Sequence, residues 1–329
     1  MNTRTLGRTG IEVTELALGG LFVSKYGAEF ADGRAAIHRA VELGINYIDT
    51  APGYGNSEEV IGKSLVDIDA PLVISTKLGG RPNPFEPKNK YALLESLQTS
   101  LKLLGREQVE ILMIHEPDRT GQYDWWDDFA AAEGPVMEVL DAVRAEGLVK
   151  YIGLGGTTVH EMARLCNTGK FDVVLTAFNF SLLWREAEEA IFPAARAHNM
   201  GVVIGSPLQQ GALAVRYDEA IASGAQWMAP KRREQFRALY ALVDELGMPI
   251  ADLANRFVIS HPTVSTVLTG ARSVQEVELN YAAIEQGPLP ADVLARLDEI
   301  AAIQPCRPYL EPFSLPMRGS DRPPIGRAC

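Results

Sequence analysis

From residue 15 to residue 286, short apolar runs alternate with segments whose apolar residues recur every three or four positions. The runs fall at residues 15–20, 47–49, 72–76, 109–115, 151–154, 173–177, 201–206 and 264–269. Each is nearly continuous in apolar character, as strands buried on both faces are. Helical spacing is read between them. Residues 33–43 place Ile37, Ala40, Val41 and Gly44 on one side, and Ser57-Glu58-Glu59-Val60 opens a helix with an N-cap and early acids. Further helices are expected at 91–104, 134–145, 158–165, 185–198 and 273–286. Eight strands alternating with helices predict a parallel sheet, closed most simply into a (β/α)8 TIM barrel. An open doubly wound sheet is the alternative, but no GxGxxG follows the first strand.

Additions decorate this frame, which is read as one barrel domain over residues 1–329. Residues 4–13 predict a hairpin turned at Gly7-Arg8-Thr9-Gly10 that covers the barrel floor. An insertion at 118–132 carries Trp125, Trp126 and Phe129, and 217–230 reads as a long loop after the seventh strand. Long loops on the C-terminal side of barrel strands shape the ligand pocket. After a last helix at 290–302, residues 303–329 are rich in Pro and Arg and read as an extended tail.

Composition narrows the classes. The apolar share of 47% suits an ordinary globular chain, and the net charge of -11 argues against nucleic acid or an anionic membrane as partner. Three scattered cysteines, Cys166, Cys306 and Cys329, fit a reducing compartment better than a disulfide framework. The polar N-terminus does not resemble a signal peptide, so a cytoplasmic location is expected.

Four polar side chains stand at or just past the ends of successive strands. Asp49 closes the second strand in YIDTAPGYG and Tyr54 follows it; Lys77 ends the third in VISTKLGG; His115 ends the fourth in ILMIHEPD. In a barrel these positions share one mouth. Each has a structural reading of its own: a capping Asp, a rim aromatic, a snorkelling Lys, a core His. All four would have to hold together on consecutive strands. A tyrosine of pKa near ~10 is protonated and available as a general acid. A neighbouring Lys favours its phenolate, Asp holds the Lys, and His supplies a second hydrogen bond to a substrate oxygen. That set suits protonating an alkoxide as hydride reaches a carbonyl carbon, or the reverse. No HxxxH, HxH or Cys pair suggests a metal.

The string GINYIDTAPGYGNSEEVIGKSL, then STK and MIHEPD, resembles the aldo-keto reductase superfamily; SPLQQGAL and TGARSVQEVELN resemble its cofactor segments. The resemblance implies NADP(H) or NAD(H) across the mouth, Tyr54 as acid/base, Lys77 and Asp49 as its tuners, and His115 orienting the substrate. It further implies cofactor contacts at Gly20, Asp49, Asn179, Ser206, Leu208, Gly211, Gly270, Arg272, Glu276 and Asn280. A helix N-terminus at Ser273 beside Arg272 suits a phosphate, and Gly211 allows close backbone approach. Other positions depart from the family pattern. Gly155-Gly156 replaces Ser-Asn, Leu175 stands where a Gln often grips the carboxamide, and Gly205 stands where an aromatic often stacks. Thr157 or Phe178 is the expected substitute in that clamp.

Glu276 would repel a 2′-phosphate whereas Arg272 would attract one. The expectation leans to NADP(H), with NAD(H) the alternative. The expected substrate is a small aldehyde, ketone or sugar, with Trp125, Trp126 and Phe129 as a candidate apolar wall. A cofactor-binding regulatory protein of the same fold with little turnover is the competing reading. Homo-oligomerisation is compatible with the sequence.

Overall fold

The computed structural model describes residues 1–224 and 228–307. Strands β1 (Thr3–Thr5) and β2 (Glu12–Thr14) form an antiparallel hairpin, with Thr3 opposite Thr14. Gly7 and Gly10 turn it with φ of 52° and 70°, a conformation that glycine takes at no steric cost. Arg8 fastens the turn to the barrel through Asp172 at 2.9 Å, and Leu6 and Val13 are fully buried beneath the strands. The hairpin therefore plugs the N-terminal end of the barrel, as the sequence predicts.

Eight parallel strands close in the order β10-β3-β4-β5-β6-β7-β8-β9. They are β3 (Leu16–Gly19), β4 (Tyr47–Asp49), β5 (Val73–Leu78), β6 (Val109–His115), β7 (Val149–Gly156), β8 (Val173–Ala177), β9 (Gly201–Gly205) and β10 (Thr266–Gly270). All eight expected strands are present, with ends moved by one or two residues. Side chains alternate between two apolar layers. Ala17, Tyr47, Val73, Ile111, Met113, Val173, Leu175, Val203 and Leu268 fill the barrel, whereas Ile48, Ile74, Leu112, Ile114, Val174 and Ile204 face the helices.

The outer ring begins with α1 (Phe30–Glu42), α2 (Ser57–Leu65), α3 (Lys90–Leu104), α4 (Pro135–Ala145) and α5 (Val159–Asn167). In α1 the buried face is Gly33, Ala36, Ile37 and Ala40; Val41 is only half-buried and Gly44 is exposed, contrary to the expected stripe. The helix expected at 185–198 is broken at Ala190 into α6 (Glu186–Glu189) and α7 (Ile191–Ala197). Pro193 lacks the N–H that would pair with the Glu189 carbonyl, which accounts for the break.

The stretch expected as a loop at 217–230 contains α8 (Asp218–Ser223), and Pro230 opens a helix rather than closing a loop. Helices α9 (Pro230–Leu246) and α10 (Ile250–Ile259) follow, then α11 (Val274–Glu285) and α12 (Ala291–Ala302). The tail reading for 308–329 lies outside the described residues. Among the described residues no helix is long and apolar enough to cross a membrane.

Candidate active site

The inward alternation of β4, β5 and β6 carries past the apolar layer onto Asp49, Lys77 and His115, so all three face the barrel axis at its C-terminal mouth. Tyr54 comes from the loop between β4 and α2, which is pinned at both ends. Thr50 donates through its amide to Ser75 O at 2.9 Å, and Ser57 donates through its amide to Tyr54 O at 3.1 Å. Ser57, expected as the N-cap of α2, is instead its first helical residue. Its hydroxyl donates to Gly20 O at 2.7 Å and accepts from Thr50 Oγ1 at 2.8 Å, tying the ends of β3 and β4 to the helix.

Lys77, 1% exposed, donates to Asp49 Oδ2 at 2.7 Å and to Thr50 O at 2.8 Å. The other carboxylate oxygen accepts from Ser75 Oγ at 2.6 Å, and Tyr47 OH donates to that serine. The Lys77 ammonium stands 4.8 Å from the centre of the Tyr54 ring, which meets the His115 ring edge-on at 5.7 Å. The structure therefore brings all four sequence-predicted residues into one cluster.

Burial holds the Lys77 ammonium below its usual pKa, with Asp49 opposing the shift. Burial, helped by the Lys77 charge, pushes the His115 imidazole down to about 3. The His115 imidazole is therefore neutral near pH 7. Its carbonyl accepts from Trp125 Nε1 at 3.2 Å, and a Cβ on Gly79 would stand 3.0 Å from its own Cβ.

That contact settles the tryptophans. Trp125 and Trp126 are buried, with Trp126 packed on Phe171 and its Nε1 bonded to Pro117 O at 2.7 Å. They brace the loop behind His115 and are not the substrate-facing wall expected from sequence. Phe129, half-buried, packs edge-on against Trp126.

The opposite half of the mouth is nearly bare of side chains. The inward positions closing β3, β7, β9 and β10 are Gly19, Gly155, Gly205 and Gly270, with Ala177 on β8. A Cβ on Gly155 would lie 3.4 Å from Lys77 Cε, and one on Gly205 would lie 3.2 Å from Leu175 Cδ2. Asn179, fully buried beyond β8, donates to Thr176 Oγ1 at 2.8 Å while its Oδ1 has no hydrogen-bond partner among the described residues. Glycines at 155 and 205 leave room at the mouth, and together with the unbonded amide oxygen of Asn179 they are compatible with a flat ring bearing a carboxamide.

Ser206, at φ 54°, turns the chain out of β9, and Gly211, at φ 102°, completes the segment; Leu208, between them, is half-buried. Gly20 has another role besides ligand approach, since a Cβ there would stand 2.7 Å from Asp49 O. Gly270 makes room for the Phe22 ring. Beyond β10, Ser273 caps α11 by accepting from Glu276 N at 3.3 Å. Glu276 accepts from the Arg272 amide at 2.7 Å and from its guanidinium at 2.5 Å, so two residues read as opposing influences form an ion pair. Asn280 is buried, with its Oδ1 accepting from Asn255 Nδ2 at 3.1 Å.

Sequence reasoning missed the pair of acids after His115. Glu116 and Asp118 are both buried, and Arg119 bridges Glu116 Oε2 at 2.8 Å. Thr157 donates to the same oxygen at 3.2 Å and accepts from Arg119 Nε at 2.7 Å. That hydroxyl is therefore committed to the acids, and the expectation that Thr157 replaces a carboxamide clamp gains no support. An ion pair alone would pull the Glu116 carboxyl down. Burial and the neighbouring Asp118 outweigh Arg119 and push it up to about 8. The signal was on the page as His-Glu-Pro-Asp, where two acids follow a strand end.

Among the described residues no group of three or more His, Cys, Asp or Glu stands where it could hold a metal ion. The strands thus define a (β/α)8-barrel protein whose four candidate residues gather at its C-terminal mouth. A profile of the Aldo/keto reductase family matches residues 15–302, and the chain belongs to that family. The family's members are oxidoreductases that use NAD(P)H in general.

Among its relatives is a pyridoxal 4-dehydrogenase of Microbacterium luteolum, 30% identical over 86% of this chain and 93% of that protein. A putative voltage-gated potassium channel subunit beta of Schizosaccharomyces pombe is 27% identical over 92% and 94%. An L-galactose dehydrogenase of Arabidopsis thaliana is 27% identical over 86% and 88%. In fold, the chain matches an aldo-keto reductase of Bacillus halodurans with a TM-score of 0.75 over 93% of this chain and 98% of that one, at 23% identity.

Proposed function

We propose that this protein transfers hydride between a nicotinamide cofactor and the carbonyl or alcohol carbon of a small uncharged substrate, with Tyr54 as general acid/base. The buried Asp49–Lys77 pair beneath the Tyr54 ring carries this reading, because it places a fixed positive charge beside a phenol. When bound, the nicotinamide supplies or accepts the hydride. Tyr54 gives its proton to the substrate oxygen during reduction and takes it back during oxidation. Lys77 stabilises the phenolate left behind, and Asp49 keeps Lys77 charged and in place. His115, being neutral, donates a hydrogen bond to the same oxygen without competing for its proton.

Gly155, Gly205 and Asn179 fit the ring side of the cofactor, and Ser206 to Gly211 the pyrophosphate. Ser273 and the first turn of α11 fit the adenosine end. There Glu276 pairs with Arg272 and so competes with a 2′-phosphate for that arginine. We infer NAD(H) from that competition, with NADP(H), to which the sequence leans, as the alternative. The sugar-type substrate rests on the similarity to L-galactose dehydrogenase.

One experiment tests the reading. Nicotinamide absorbance is followed with NADH and NADPH against aldehydes and aldoses, and both cofactors' dissociation constants are measured for wild type and Tyr54→Phe. The variant is expected to lose about 10²–10⁴-fold in turnover while binding cofactor within a few-fold. Retained turnover would sink the role given to Tyr54. Tight cofactor binding with no wild-type turnover would favour the regulatory reading, and equal affinity for the two cofactors would remove the argument from the Arg272–Glu276 pair.

A further inference from the structure

Among the buried ionisable side chains at the rim that the proton transfer does not use, Glu116 stands nearest His115 in the chain. Glu116 directly follows His115, is 3% exposed, and lies close enough to Lys77 for each to feel the other's charge. Strict alternation along β6 would send its side chain outward with Leu112 and Ile114. Instead the backbone turns left-handed at Glu116, φ 54°, while its amide continues the ladder to Gly155 O at 2.7 Å. Left-handed backbone disfavours a residue with a Cβ by about 1–2 kcal/mol, so a glutamate there needs compensation. Phe178 and Ser206 show the same turn just past β8 and β9, φ 70° and 54°. These turns re-aim the chain where strands meet the mouth.

A purely structural role fits Glu116 poorly. It is buried beside a second buried acid, Asp118, and replacing buried charges by apolar groups of similar size is commonly neutral or stabilising. Both contacts it makes, from Thr157 and Arg119, fall on Oε2. No described residue donates to Oε1.

We propose that Glu116 is a specificity-determining residue that hydrogen-bonds a substrate hydroxyl next to the reacting carbon, selecting hydroxylated substrates over simple aldehydes. The inference deepens the function proposed above and rests on that reading for the location of the reacting carbon. A carboxyl that keeps its proton near neutrality can both donate to and accept from a hydroxyl.

The test compares an aldose, its 2-deoxy counterpart and an unsubstituted aldehyde of similar length, with the nicotinamide-loaded protein. Glu116→Leu keeps the volume and removes the polar end. It is expected to lower kcat/KM for the aldose about 10²-fold and for the deoxy compound no more than about 3-fold. Glu116→Gln, which can also donate and accept, is expected to keep the aldose preference. Thermal melting and cofactor affinity confirm that each variant is folded.

Calorimetry with the matching alditol supplies a readout independent of turnover, and its binding is expected to weaken in Glu116→Leu alone. Equal losses on aldose and deoxy substrate, or none on either, overturn the proposal. A wild type that turns nothing over but binds alditol through Glu116 would overturn the hydride-transfer reading and leave this one standing. A wild type that reduces all three compounds equally well would do the opposite.

Discussion

Lys77 has exchanged water for two oxygens, Asp49 Oδ2 and the Thr50 carbonyl, and burial already holds its pKa down. Losing one partner of such a pair leaves a buried charge uncompensated, at a cost of about 3–5 kcal/mol, while losing both is often neutral. Asp49→Asn is therefore expected to lower the urea midpoint clearly and turnover by at least about 10²-fold, since a Lys77 driven neutral no longer favours the phenolate. Adding Lys77→Met to Asp49→Leu should recover most of the stability and none of the turnover. A single variant as stable as wild type would show that the pair is not a buried ion pair in solution. These four residues were legible in the sequence because each closes or follows a strand whose apolar run is unmistakable. Glu116 was not, because its place at the mouth depends on one left-handed residue that breaks the alternation by which His115 is found.

At the scale of elements, α2 matters because it joins the ends of two strands to the Tyr54 loop through Ser57. Its packing on α3 depends on Gly62, where a Cβ would stand 2.1 Å from the Leu103 carbonyl oxygen and 2.8 Å from Leu104 Cα. Both obstacles are backbone, so the helices must separate. Gly62→Ala is expected to cost about 1–3 kcal/mol despite the better helix propensity of alanine. Gly121→Ala, with nothing within 4 Å, serves as the neutral control in thermal melting. Equal melting temperatures for the two would refute the close-approach argument. The same scale shows what periodicity reads and what it loses. Strands emerged because both faces are apolar. Helix α9 did not, because it opens with a run of charged residues, although Pro230 at its start and Gly247, φ 60°, past its end were the punctuation.

Across the whole molecule, two of the three perturbed groups at the rim, His115 and Glu116, set opposing pH dependences of stability between acid and neutral pH. His115 binds its proton only near pH 3 in the folded chain, against an ordinary value near ~6.5. Between these values the unfolded chain holds more protons, so stability rises as pH rises through that window. Glu116 is the reverse: folded, it keeps its proton up to about 8, well above the ordinary carboxyl range. Between about 4.3 and that value the folded chain holds the extra proton, and stability falls as pH rises. Each group alone contributes a slope of at most about 1.4 kcal/mol per pH unit, so the two nearly cancel where their windows overlap. Wild type is therefore expected to lose stability below the overlap through His115 and above it through Glu116. Urea titrations from pH 4 to 9 on wild type and Glu116→Gln separate the two, because the amide removes the alkaline fall and leaves the His115 rise uncancelled between about 4.3 and 6.5. If both proteins fell in parallel above neutrality, the Glu116 carboxyl would be ionised in the folded state and the substrate preference argued from it would lose its donor.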